Sequence, residues 1–334
     1  DLHQETVRHI ELPNGSNAIR SMMLSPKGKF LYVTHVLGRH KVPTTQVERG
    51  WINTNALSII DAVKMELITT VLLDDHNLGF SNPSAMACSP DGKSLCIASF
   101  GGNELSLINR DKLHEKIENS RFSPGLQKSE SNDFSTDLFF MSAIQRQRIP
   151  LPGYGPNSLV FSGNALYIAE YFSGTLAVAD LTESPVNVHH QMGLGKESGQ
   201  DMVRFGEMLF NNADLCYQHW QSCATCHPDG RMDGLNWDLL NDGIGNPKNT
   251  KSMLHAHKTP PSMSLGVRAT AEDAVRAGIR YIQFAAVKEQ QARAIDVYLQ
   301  SLTPLPSPFL VNNKPGKSAK RGKVIFEREG CVDR

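Results

Sequence analysis

The sequence has no apolar run of the roughly 18 residues that a membrane-spanning helix needs, so no segment reads as a span. It also lacks an excess of either charge, with 34 Lys and Arg against 34 Asp and Glu. A general nucleic-acid binder needs a basic face, and this balance argues against one. The opening stretch DLHQETVRHI has no basic region followed by an apolar one and does not read as a secretory leader. The expectation is a removed leader or a chain that begins inside a longer protein. Cysteine is scarce, six in 334 residues, which excludes a dense disulfide scaffold. The length leaves room for two or more domains with a sizeable core.

What is present falls into two parts. AIRSMMLSPKGKFLYVTH (18–35) and NPSAMACSPDGKSLCIAS (82–99) share one pattern: a short strand, Ser-Pro-x-Gly-Lys, then a second strand. Ser-Pro followed by a glycine is turn chemistry, so each reads as a hairpin. GPNSLVFSGNALYIAEY (155–171) is a third copy with a shortened turn. Each copy is followed by another strand, NALSIIDA, NELSLINR or GTLAVADL, and then by one more. Four strands per repeat is propeller-blade spacing. Residues 36–54 interrupt the first unit. Residues 111–147, polar and without a strand pattern, interrupt the second, and both read as surface loops. Cys88 and Cys96 flank a hairpin turn and read as small core residues, with a cross-strand disulfide as the alternative.

After about residue 196 the period changes. Met202, Phe205, Leu209 and Phe210 fall at helical spacing, and KEQQARAIDVYLQSL (288–302) reads as a second amphipathic helix. Between them lies QSCATCHPDG (221–230). With 6 Cys and 12 His in 334 residues, a chance C-x-x-C-H is expected in about 4 of 1000 such chains. Two thiols at this spacing add to the two vinyl groups of haem, and the adjacent imidazole reaches the iron. A thioredoxin-like reading needs a βαβ setting that is absent. A zinc reading gathers Cys216, His219, Cys223, Cys226 and His227, but consecutive Cys226 and His227 suit one tetrahedral ion badly. Cys216 and His219 then read as packing or capping residues.

SPKGKFLYVTH resembles the YVTN family of β-propeller repeats, over roughly residues 18–190. Three blades do not close a ring, so the resemblance implies further blades before residue 1. Gly206, Phe210, Cys223, Cys226, His227, Tyr298 and Leu299 resemble the plan of a c-type cytochrome domain. The closing KRGKVIFEREGCVDR parallels the approach to the first motif, with Cys331 where a second would begin. Tandem domains of this kind, with KTPPSMSLGVRATAEDA (258–274) and AIDVYLQSLTP, resemble the di-haem cytochrome c peroxidase and MauG family.

That resemblance implies a multidomain fold: β-propeller blades (all-β, 1–196), an α-helical c-type cytochrome domain with haem (197–305), then a linker and the first helix of a truncated second cytochrome domain (306–334). It implies haem c held by Cys223 and Cys226 with His227 on the iron, and a second, incomplete haem site at Cys331. His257 or Met263, and after them His255 and Met253, become candidate distal ligands. Glu272, Asp273 and Arg268 become the candidate acid/base group. Thr270 capping a helix rich in acids is the alternative for the carboxylates. Trp237 reads as an electron relay or a packing residue. The implied activity is a periplasmic oxidoreductase that reduces hydrogen peroxide with electrons from a small donor protein. The alternatives are an electron-transfer cytochrome or a MauG-like protein oxidant, with the propeller as the partner-binding module.

Overall fold

The structure, a computed structural model, describes residues 7–42, 50, 52–121, 134–195, 201–239 and 245–331. Alternating side chains build three antiparallel four-stranded meanders, the first two opened by Ser-Pro-x-Gly turns and the third by Ser-Gly-Asn. The first is β1 (Ser16–Leu24), β2 (Phe30–Gly38), β3 (Asn53–Asp61) and β4 (Glu66–Leu72). The second is β5 (Pro83–Cys88), β6 (Ser94–Ser99), β7 (Glu104–Asn109) and β8 (Arg146–Pro150). The third is β9 (Pro156–Ser162), β10 (Ala165–Glu170), β11 (Thr175–Asp180) and β12 (Val188–Gly193). The leading strands β1, β5 and β9 stand side by side, which is a propeller-like arrangement.

The turns explain the repeat. Ser25 Oγ accepts from Phe30 N and Ser89 Oγ accepts from Ser94 N, so each serine closes its own hairpin. Gly28 and Gly92 hold φ of +69° and +74°, which other residues adopt only with strain. Between the first two blades the core gathers Tyr32, Leu57, Ile59, Phe80, Leu95 and Ile97. Between the second and third it is made of smaller residues, among them Ala85, Ala87, Ala98, Ala177 and Ala179, with Cys96 fully buried. Every cysteine is a free thiol.

The inserts differ from expectation in part. Across 36–54 the strands stay paired down to Gly38 and Asn53, while residues 43–49 and 51 lie outside the described residues. The polar insert does not begin as a loop: Arg110–Arg121 form a helix, α1. Its polar positions hide a helical pair, Leu113 and Ile117, buried with Phe140, Met141 and Ile144. FSPGLQKSESND (122–133) lies outside the described residues.

The expected separate helical cytochrome domain is not what folds. The protein is mostly β, and among the described residues the α-helices after the blades are α2 (Met202–Asn211), α3 (Cys223–Cys226), α4 (Ala271–Tyr281), α5 (Glu289–Ser301) and α6 (Lys317–Arg328). Helices α2, α4 and α5 run 10, 11 and 13 residues. They share one compact unit with the blades, Asp1–Ser301. Gly79 N donates to Gln218 O, and Ala213 N to Gly101 O. A Cβ on Gly79 would lie 2.4 Å from His219 O, so glycine is what allows the two backbones to touch. Trp220, 1% exposed, packs with Leu37, Ala56, Leu72 and Leu138 of the blade side.

The second unit, Leu302–Arg334, holds a short hairpin (Leu310–Val311 with Lys314–Pro315) and α6. Asn312 and Asn313 take positive φ at its turn, as a two-residue hairpin requires. No helix among the described residues is long and apolar enough to cross a membrane.

Candidate functional site: two thiols and an imidazole on one cavity wall

Ser222 starts a single helical turn. Ser222 N donates to Thr225 Oγ1 (2.9 Å) in a capping box, and His227 N closes onto Cys223 O (3.0 Å). Residues three apart on a helix share a face, so Cys223 and Cys226 open on the same side. Both line a cavity of 480 Å³ together with His227. Burial pushes both thiols up to about 12, against an opposing hydrogen bond from Gln283 to Cys223 and from Asn53 to Cys226. They are therefore neutral S–H groups at ordinary pH.

His227 Nδ1 lies 2.9 Å from Lys251 O and 3.3 Å from Arg231 O. Carbonyls only accept, so Nδ1 carries the proton and Nε2 keeps its lone pair. Burial holds the imidazole below its usual pKa, against these two backbone hydrogen bonds, which favours the neutral ring. Phe210 of α2, Ile279 of α4, Ile282 just after it, and Ile295 and Leu299 of α5 supply apolar walls. An apolar chamber, two thiols on one face and a neutral imidazole with a free nitrogen fit a covalently attached haem.

Among the other expected residues, Met253, His257 and Met263 line the cavity and His255 does not. His257 Nε2 faces Asp296 Oδ1 at 3.3 Å and Glu272 Oε1 at 3.9 Å, and Arg276 holds Asp296 from the far side at 2.6 Å. Glu272, Asp273 and Arg268 stay off the cavity wall. Thr270 Oγ1 accepts from Asp273 N (3.1 Å), so Asp273 belongs to the cap of α4, and Arg268 Nη1 donates to Val267 O. Trp237 lines the cavity while its Nε1 donates to Asp233 Oδ2 (2.8 Å) and its ring packs on Ile52. Cys331 is exposed at the end of the second unit. The five zinc candidates do not converge: no group of three or more His, Cys, Asp or Glu among the described residues could hold a metal ion. Cys216 is buried at the start of a short 3₁₀ turn, and His219 Nδ1 lies 3.5 Å from Asp214 Oδ1.

Sequence reasoning missed the residues that the blades contribute. Asn82 Nδ2 donates to Ser222 Oγ (2.8 Å) and its Oδ1 accepts from Thr225 Oγ1 (2.8 Å), so one blade asparagine holds both ends of the C-x-x-C turn. Asn53 Nδ2 reaches Gln221 Oε1 (2.7 Å) and Cys226 Sγ (3.4 Å). Gln283 Nε2 reaches Cys223 Sγ (3.1 Å). Asn53 Oδ1 and Gln283 Oε1 are buried without a partner among the described residues, at a cost of about 1–3 kcal/mol each. Arg20 of β1 forks onto Asp229, two residues past His227, at 3.0 and 3.1 Å. The one available signal was an asparagine opening β3 and another just before β5, where propensity disfavours asparagine.

No known family's profile matches the chain. It is 30% identical over 165 residues to hydrazine synthase subunit beta of Kuenenia stuttgartiensis, covering 49% of this chain and 41% of that one. It is 31% identical over 153 residues to the gamma subunit from the same organism, covering 40% and 42%. A solved structure of Kuenenia stuttgartiensis hydrazine synthase is similar over 50% of this chain and 46% of its own, at 30% identity and a TM-score of 0.44. The chain thus spans less than half the length of the curated relatives it matches.

These relatives overturn the family expected from the sequence. They are subunits of hydrazine synthase, and neither is a di-haem cytochrome c peroxidase or MauG protein. Short segments such as CATCH and AIDVYLQSLTP are too local to fix a family or a reaction. Peroxide reduction loses its basis, and with it hydrogen peroxide and a small donor protein as partners. The names of the relatives mention neither haem nor iron, so the cofactor rests on the geometry of this chain alone.

Proposed function

We propose that this chain is a haem c-carrying subunit of a periplasmic, multi-subunit enzyme related to hydrazine synthase. The observation that carries the cofactor is the convergence of Cys223, Cys226 and His227 on one cavity wall, with Nδ1 of His227 already anchored to Lys251 O. The two curated relatives, both subunits of one synthase, support the placement in such an enzyme. The periplasm suits haem attachment and thiol handling outside the bacterial cytoplasm.

Each residue has a separate task. The Cys223 and Cys226 thiols would form the two covalent links, and His227 would ligate iron through Nε2. The carbonyls of Lys251 and Arg231 keep the proton on Nδ1 and the ring in place. The apolar helices α2, α4 and α5 exclude water from that face. Haem, when bound, supplies one-electron chemistry. Met253, His257 and Met263 would be the candidates for a second iron ligand, because all three line the same cavity.

The double variant Cys223→Ala with Cys226→Ala should abolish covalent haem, read as loss of the haem-stained band after denaturing electrophoresis. A surviving band would overturn the cofactor assignment. His227→Gly should keep the band and alter the absorption spectrum, because the imidazole that would ligate iron is removed while both thiols remain.

A further inference from the structure

We propose that Asn53, on the first blade, and Gln283, just after α4, are positioning residues for haem attachment, each aiming one cysteine sulfur. The proposal rests on the haem reading above. Asn53 Nδ2 sits 3.4 Å from Cys226 Sγ and 2.7 Å from Gln221 Oε1. Gln221 Nε2 donates to Ile282 O at 3.0 Å, and the next residue, Gln283, sends Nε2 to Cys223 Sγ at 3.1 Å. Three carboxamides therefore run from the blade to both sulfurs. They are 0%, 4% and 4% exposed.

Stability alone does not explain this string. Sulfur is a weak acceptor, and each terminal amide leaves its oxygen buried without a partner. What the string does achieve is orientation. A cysteine side chain has staggered wells about its Cα–Cβ bond, and an N–H aimed at the sulfur selects one of them. The capping box already fixes the backbone of the turn, so the sulfur rotors are the freedom left to remove.

The step these residues serve is an addition. Each thiol S–H adds across one vinyl C=C: a C–S bond forms at the carbon next to the macrocycle, the proton ends on the terminal carbon, and the π bond is consumed. No electrons enter or leave and no group departs. Two additions must occur on vinyl groups carried by two neighbouring rings of one rigid macrocycle, so both sulfurs have to point correctly together. The anchors come from different sides, Asn53 from the blade and Gln283 from the helical side, and losing one should affect one thioether.

The test produces the full chain in a bacterium equipped for c-type haem attachment. Asn53→Leu and Gln283→Met keep size and remove the donor; Asn53→Ser and Gln283→Ser serve if the first pair fails to fold, judged by circular dichroism. Haem-carrying chains are alkylated at remaining thiols and their motif peptides weighed by mass spectrometry. The Asn53 variants should leave Cys226 alkylated and the Gln283 variants Cys223, with doubly linked chains reduced about fivefold, the bias of one ordinary hydrogen bond. General loss of stability would not sort by cysteine. Two complete thioethers in both variants, or equal loss of both in each, would overturn the proposal while leaving the haem reading intact. Absence of covalent haem from the unaltered chain would overturn both.

Discussion

The blades and the segment around His227 are built by opposite rules. In the blades, side-chain alternation and a repeated serine turn make each residue's place follow from its neighbours. Around His227 the chain moves through 3₁₀ turns and positive φ at Gln218, His219, Asp229, His255, Met263 and Leu265. No local period sets those conformations, so tertiary contacts must, and many come from the blades. The regular region is thus the mould for the irregular one.

Trp220→Ala should break that comparison most severely. The indole is almost fully buried against the first blade, and such truncations cost about 3–5 kcal/mol. If the blades shape the site, denaturant unfolding of this variant should remain one transition moved to lower concentration, with the blade and motif regions failing together. Two separated transitions would show that the regions are stable independently.

A second prediction separates them by pH. His114 of α1, stacked on Phe30 and 2.7 Å from the Tyr32 hydroxyl, is pushed down to about 4 by burial and by Arg110 and Lys29. Its folded pKa lies below the unfolded value of 6.5, so the stability it confers is present above 6.5 and lost as pH falls towards 4. The full loss is about 3 kcal/mol. Asp74 works in the opposite sense. Burial raises it to about 6, so its penalty is present at neutral pH and relieved below that value. His114→Gln should remove the loss due to His114, so urea midpoints should fall less, or rise more, from pH 7 to 4.5 than in the unaltered chain.

The smallest effect belongs to Arg20. Its pair with Asp229 ties β1 to the turn after His227, but both partners are well exposed, at 39% and 69%. Arg20→Ala should cost no more than about 1 kcal/mol in thermal unfolding, and less as salt rises. A larger loss would mean that this link, rather than Trp220 and Asn82, carries the coupling.

The repeat was legible because its turns need particular residues: Ser-Pro-x-Gly recurs where the first two blades begin, and a glycine stands in the corresponding turn of the third. The two thiols and the imidazole could be singled out because C-x-x-C-H is rare by chance, and the structure places all three on one cavity wall. α1 was hidden because its two apolar residues sit in a polar insert, and burial of Leu113 and Ile117 needs the blade core beside it. The separate helical domain was misread because amphipathic spacing says that a helix hides one face, not what covers it. Asn53, Asn82 and Gln283 were illegible for a related reason: their partners lie 140 or more residues away for the asparagines and 60 away for the glutamine. The reaction was misread because a short shared motif was taken to bring a family's chemistry along.

Gly206 of α2 shows how narrow the tolerances are. A Cβ there would lie 1.9 Å from Ala294 O of α5. One turn further along, Phe210 lines the cavity, and α5 contributes Ile295 and Leu299 to the same wall. The width of the chamber is therefore gauged from a point where two backbones touch. A single added methyl at position 206 would act as a wedge, prising α2 from α5 and loosening the fit around any rigid planar occupant without altering a residue that touches it.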